Sequence, residues 1–196
     1  MNIQQLEEIS DMSEIIIYNA DKLKSIFNNN DVVRFFGEHG VPRRLTLYID
    51  FIEEKKGGLS KLGDEINKNQ YYDSNNNEIH EKYKDYYAIA NHNNCLIGLN
   101  EKDKKMYYID FENSHEMYVN KDLLSFLESL YILNIRVKKI FELHPECFDY
   151  EEYFDEELIK KMVKDINEVD NNAFEEGSFW NMIVEEIIEM REEGGY

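Results

Sequence analysis

Four stretches of the chain repeat apolar residues at helical spacing, and between the first two the pattern changes to short alternating runs. The first runs from about Leu23 to Phe36, with Val32, Val33, Phe35 and Phe36 on one face. The segment Gly37-Glu38-His39-Gly40-Val41-Pro42 then ends it, because Gly40 can take a positive φ and Pro42 restricts the residue before it. In residues 45 to 51, Leu45, Leu47, Ile49 and Phe51 alternate with Thr46, Tyr48 and Asp50, a period of two that predicts a strand. Residues 53 to 82 are polar and rich in Gly and Asn, so they read as an irregular insertion with one short helix near Leu59 to Ile66.

A meander follows. Tyr86 to Ala90, Cys95 to Leu99, Met106 to Ile109 and Glu116 to Val119 are β-rich, and Asn- and Asp-containing turns separate them. Asn120 is the expected cap of a helix over about 121 to 133, with Leu123, Leu124, Phe126, Leu127, Leu130 and Tyr131 at helical spacing. Asp155 similarly precedes Leu158, Ile159, Met162, Val163 and Ile166, and Ser178 precedes the stripe Phe179, Trp180, Ile183, Val184, Ile187 and Ile188. The expected fold is α+β: a single domain with a small antiparallel sheet packed with several helices. Helices would cover one face of that sheet and leave the other wet.

Composition narrows the function. A chain of 196 residues suffices for one domain with a sizeable core, and two prolines and nine glycines are too few for a low-complexity chain. Its 41 acidic and 22 basic side chains give a formal net charge of -19, which repels phosphate backbones and argues against direct nucleic-acid binding. The charge is concentrated in a helical C-terminal part, where residues 142 to 196 hold 18 acidic against 4 basic side chains. Such a field raises the association rate of a basic partner, and it equally keeps a small domain soluble. No apolar run approaches membrane-spanning length, and MNIQQLEEISDMSE lacks the order of a secretory signal, so a cytoplasmic location is expected.

Motifs for chemistry are sparse. His92 with Cys95 and His144 with Cys147 share a three-residue spacing, but HExxH and CxxC are absent and no metal site is expected. There is no GxSxG elbow, phosphate-cradling glycine loop or dinucleotide fingerprint, hence neither a cofactor nor a catalytic residue is assigned. Tyr107 and Tyr108 are adjacent on one strand and should face opposite ways, one into the core and one outward. Trp180, on the apolar face of its helix, is expected to serve packing.

Taken in order, several segments resemble the SUKH superfamily of bacterial immunity proteins, particularly its fourth group. They are Phe35 to Pro42; Leu96-Ile97-Gly98-Leu99 followed by Met106-Tyr107-Tyr108-Ile109-Asp110; Val119-Asn120 with the helix after it; Val169 to Phe174; and Ser178-Phe179-Trp180. The resemblance implies a non-enzymatic, cytoplasmic protein that binds and neutralises a cognate secreted toxin, the toxins of this superfamily including nucleases and nucleic-acid deaminases. A toxin of that kind presents a basic surface, which suits an acidic inhibitor. The expected contacts lie on the sheet-edge loops and exposed strand face, at Glu101, Asp103, Tyr107, Glu112 and Glu116, with support from Asp149, Glu151 and Glu152. The partner list then holds the toxin alone, with no nucleic acid and no membrane, for a monomer or weak homodimer. A regulatory scaffold of the same fold is the alternative class.

Overall fold

A computed structural model describes residues 15–27, 29–45, 49–53, 57–68, 81–111, 113, 115–146 and 150–194. Its N-terminal part is built from small pieces: β1 (Ile15–Ile16), α1 (Ala20–Lys24), α2 (Asn30–Arg34), a π-helical turn over Phe35–His39, and β2 (Val41–Pro42), which pairs antiparallel with β1. The single helix expected over Leu23 to Phe36 is therefore interrupted. Asn19 caps α1 and Asn29 caps α2, each accepting backbone N–H groups of the following turn, so local side-chain hydrogen bonds start a second helix where the apolar spacing alone would continue one.

The stretch read as one strand over residues 45 to 51 is instead two, β3 (Arg44–Leu45) and β4 (Ile49–Phe51), whose ends pair antiparallel with each other. Helix α3 (Leu62–Lys68) starts three residues later than expected and ends two later. Then come β5 (Tyr86–His92), β6 (Cys95–Asn100), β7 (Met106–Asp110) and β8 (His115–Asn120), close to the predicted meander. The six strands β3 to β8 form one antiparallel sheet in sequence order. Asn93 and Asn94 both have positive φ in the two-residue turn joining β5 to β6, a backbone state that Asn tolerates.

The C-terminal part holds α4 (Leu123–Leu143), a 3-10 turn over Tyr150–Tyr153, α5 (Glu156–Val169) and α6 (Phe179–Gly194). Two expectations about α4 are corrected. Its cap is Asp122, which accepts the Ser125 N–H at 2.7 Å, while Asn120 is fully buried and used elsewhere. The helix also runs ten residues past the expected end, through a region where Arg136 is buried while Ile135 and Phe141 are about two-fifths exposed. Asp155 caps α5 as expected, accepting the Leu158 N–H at 2.7 Å.

One sheet face supplies Ile89, Ile97, Leu99, Met106, Tyr108 and Val119 to the main core, where they meet Leu123, Phe126 and Leu127 of α4, Ile159 and Met162 of α5, and Phe179, Trp180 and Ile183 of α6. The opposite face is not left wet. Ile52, Leu62, Tyr83, Tyr86, Ala88, Leu96, Ile109 and Phe111 form a second, smaller core on it. Leu62 comes from α3, and a Cβ placed on Gly98 of β6 would sit 2.9 Å from Leu62 Cδ1, so the close approach of this cover depends on that glycine.

Candidate functional site: a tyrosine and carboxylate face on the sheet

On the smaller-core side of the sheet, three tyrosines from different strands form a row. Tyr86 on β5 meets Tyr107 on β7 with ring centroids 5.9 Å apart, and Tyr107 meets Tyr118 on β8 at 6.2 Å, both edge to face. Register explains the row, because Tyr107 pairs with Tyr118 across one side and with Gly98 across the other. With no side chain at Gly98, the Tyr86 and Tyr107 rings meet over β6. Tyr108 points the other way and is 6% exposed, while Tyr107 stays half-buried, as the alternation predicted.

Each of these hydroxyls is bound to a carboxylate. Tyr86 donates to Glu116 at 3.2 Å, Tyr107 to Asp103 at 2.8 Å, and Tyr118 to Asp170 at 2.8 Å. Burial raises all three phenol pKa values, and the adjacent carboxylates add to the effect by disfavouring a second negative charge. The rings are thus held neutral and their orientation fixed by both packing and hydrogen bonding. Such pre-organised tyrosines suit recognition, since little side-chain freedom remains to be lost on binding.

Asp170 also anchors the C-terminal helices. Although 2% exposed, it accepts from Tyr118, from Asn120 Nδ2 at 3.4 Å, and from the backbone N–H groups of Lys121 at 2.6 Å and Asn172 at 3.1 Å. Asn120 Oδ1 in turn accepts the indole N–H of Trp180 at 3.0 Å, and its Nδ2 lies 3.3 Å from Ser129 Oγ. A continuous network therefore ties β8, α4, the turn before α6, and α6 itself. Trp180 is fully buried within it, in the packing role expected of it.

The sequence-predicted residues divide accordingly. Asp103, Tyr107 and Glu116 come together on the tyrosine face. Glu101 is engaged within the chain: Lys61 Nζ is 2.6 Å from its Oε2, and this ammonium holds the Glu101 carboxyl below the usual carboxylate range. Glu152 lies on the 3-10 turn that packs against α4 and α6, away from β7. Glu112 and Asp149 lie outside the described residues, as does the side chain of Glu151. Sequence reasoning missed Tyr86, Tyr118 and Asp170. The first two could have been found from strand alternation combined with the pairing of Tyr107, while Asp170 lies in the Val169 to Phe174 segment of the family resemblance, where no spacing points to its role as an anchor.

Among the described residues no group of three His, Cys, Asp or Glu side chains is arranged to hold a metal ion, and no helix is long and apolar enough to cross a membrane. On the other side of the β6–β7 turn lies a cavity of about 250 Å3, lined by Phe27, Val32, Leu99, Leu123 and Leu124 with Lys104 and Asp122 at its polar edge. The cavity is predominantly apolar and presents no converging nucleophile and base.

The family model described as SUKH-4 immunity protein matches residues 2–186. The chain belongs to the SUKH-4 immunity protein family. No curated protein and no solved structure matches it. Membership of the SUKH-4 family supplies the immunity function and with it a cognate toxin as partner, and the match spans the whole sheet and the helices through the first half of α6. The tyrosine face is therefore part of the SUKH-4 domain itself and not an appendage to it.

Proposed function

We propose that this SUKH-4 protein neutralises a secreted toxin of the nuclease or nucleic-acid deaminase type by one-to-one binding without turnover. The family match over residues 2–186 carries the reading, and the formal charge of -19 supports a basic partner. In this reading the toxin's nucleic-acid-handling surface meets the acidic one, and an interface of about 1,200 to 2,000 Å2 forms with the Tyr107, Asp103 and Glu116 face near its centre. Glu101, Glu112, Asp149, Glu151 and Glu152 contribute to the net negative charge of the chain, which accelerates encounter more than it tightens the complex. The chain acts in the cytoplasm of the producing cell as a monomer or weak homodimer. Neither nucleic acid, membrane nor cofactor takes part.

The test is to co-purify the full chain with the toxin domain encoded beside it and to measure binding by calorimetry alongside the toxin's activity. A one-to-one complex of nanomolar affinity with loss of toxin activity is the expected result. Binding without inhibition, or reproducible association with a housekeeping assembly in place of the toxin, overturns the reading in favour of a regulatory scaffold.

A further inference from the structure

One cation is already held within the chain by a tyrosine and a carboxylate. Lys61 Nζ lies 3.8 Å from the centroid of the Tyr87 ring and 2.6 Å from a Glu101 oxygen, so the ring and the carboxylate share one positive charge. The tyrosine face repeats these ingredients. The Tyr107 ring is positioned by Tyr86 on one side and Tyr118 on the other, its hydroxyl is tied to Asp103, and the Tyr86 hydroxyl holds Glu116 beside the same row. Among the described residues, however, no lysine or arginine lies over the Tyr107 ring, and neither Asp103 nor Glu116 forms an ion pair. Lys105 Nζ lies 5.8 Å from the Tyr118 centroid.

We infer that the Tyr107 face receives an arginine side chain of the toxin, with the guanidinium plane against the aromatic row and its N–H groups directed to Asp103 and Glu116. This rests on the proposed function and names the chemistry of the contact. Two carboxylates bound to neighbouring tyrosines of one row match a flat, five-donor cation better than the compact ammonium of lysine. A guanidinium is also less strongly hydrated, so placing it on half-buried aromatic surface costs less desolvation. The hydroxyl–carboxylate bonds fix the acceptors before the cation arrives. The excess of acidic side chains over the whole chain draws a basic loop toward the face and disfavours acidic competitors.

The experiment uses the full chain with ring-labelled tyrosines, titrated by NMR with acetyl-Arg-Arg-Arg-amide and, separately, with acetyl-Lys-Lys-Lys-amide. Saturable shifts centred on Tyr107, Tyr86 and Tyr118, with clearly tighter binding of the arginine peptide, are expected. Asp103→Asn combined with Glu116→Gln should weaken arginine-peptide binding about tenfold, while Tyr107→Phe, which keeps the ring, should retain most of it. Equal affinity for the two peptides, or shifts scattered over surface tyrosines, overturns the inference, and this comparison needs no variant to fold. Neutralisation assays separate it from the broader reading. If the double variant protects against the toxin as well as wild type, the face is wrong and the immunity reading stands; if arginine binds here but no toxin is inhibited, the reverse holds.

Discussion

His92 ends β5 and is 2% exposed, packed edge-on against the Tyr108 ring at 5.7 Å and the Phe179 ring at 5.6 Å. Asn93 Nδ2 lies 3.4 Å from its Nε2, and among the described residues its Nδ1 has no hydrogen-bond partner. Burial in this aromatic setting pushes the imidazole pKa down to about 4. In the unfolded chain the same group ionises near pH 6.5, so above that pH both states are neutral and the histidine is silent. As pH falls below 6.5 the unfolded state takes up the proton first, and stability drains until the native pKa is passed. The full loss is about 3 kcal/mol, from 1.36 kcal/mol for each tenfold difference in proton affinity. The assay is urea unfolding of wild type and His92→Phe at intervals from pH 7.5 to pH 4. The carboxylates are common to both proteins and cancel, so the wild-type stability should fall relative to the variant by about 3 kcal/mol across this window. Direct NMR titration of the wild-type His92 ring gives the same answer if the variant packs poorly. A constant difference in stability over the range, or a His92 midpoint near 6.5, refutes the reasoning.

Two further perturbations test the packing. A Cβ on Gly40, which has φ +76°, would press on the Ile16 carbonyl oxygen and approach Ile15 Cγ2 to 2.7 Å, so Gly40→Ala should break the β1–β2 pairing and cost about 2 kcal/mol or more in urea unfolding; a loss under about 0.5 kcal/mol would contradict this. Arg136 of α4 is 8% exposed, forms an ion pair with Asp165 of α5 and donates to the Ile132 carbonyl at 2.6 Å. Asp165→Ala should therefore cost about 2 to 4 kcal/mol by leaving a buried guanidinium without its counter-charge, whereas Arg136→Met should cost much less, and equal losses would count against the argument.

The parts of the fold legible in the sequence were those fixed by local pattern. Strands β5 to β8 follow from alternation bounded by Asn and Asp turns, and α5 follows from Asp155 ahead of a regular apolar stripe. The extension of α4 past Leu133 is hard to read from sequence because its apolar stripe is mixed there: Val137 and Ile140 continue the buried face, but Arg136 is buried beside them while Ile135, Phe141 and Leu143 are exposed. The sheet's second core escaped notice because its cover comes from Leu62, Tyr83 and Phe111, which lie in or beside segments whose polar composition suggests loops. Tyr107 with Asp103 was readable as a strand residue beside an acidic turn. Its union with Tyr86 and Tyr118 depends on register across three strands, and a single sequence does not display register.

Tyr118 belongs both to the tyrosine face and to the Asp170 network, and this sets it apart from Tyr107. Removing the Tyr107 hydroxyl releases an exposed carboxylate, Asp103, which water can solvate, so Tyr107→Phe should change stability by less than about 0.5 kcal/mol. Removing the Tyr118 hydroxyl instead leaves a nearly fully buried carboxylate one hydrogen bond short, at a site that also holds Asn120 and, through it, Trp180. Tyr118→Phe should therefore cost about 1 to 3 kcal/mol, although the ring and its contact with Tyr107 remain. Thermal or urea unfolding of the two variants supplies the comparison, and hydrogen exchange locates the loss, which should appear at the start of α6 and at Lys121. Equal small losses would mean that water replaces the hydroxyl at Asp170 and that the network is looser than its geometry. A large loss at Tyr118 alone would establish that the tyrosine row and the anchor of the C-terminal helices meet in one side chain, so that the Tyr107 ring is braced through Tyr118 by the buried Asp170, Asn120 and Trp180.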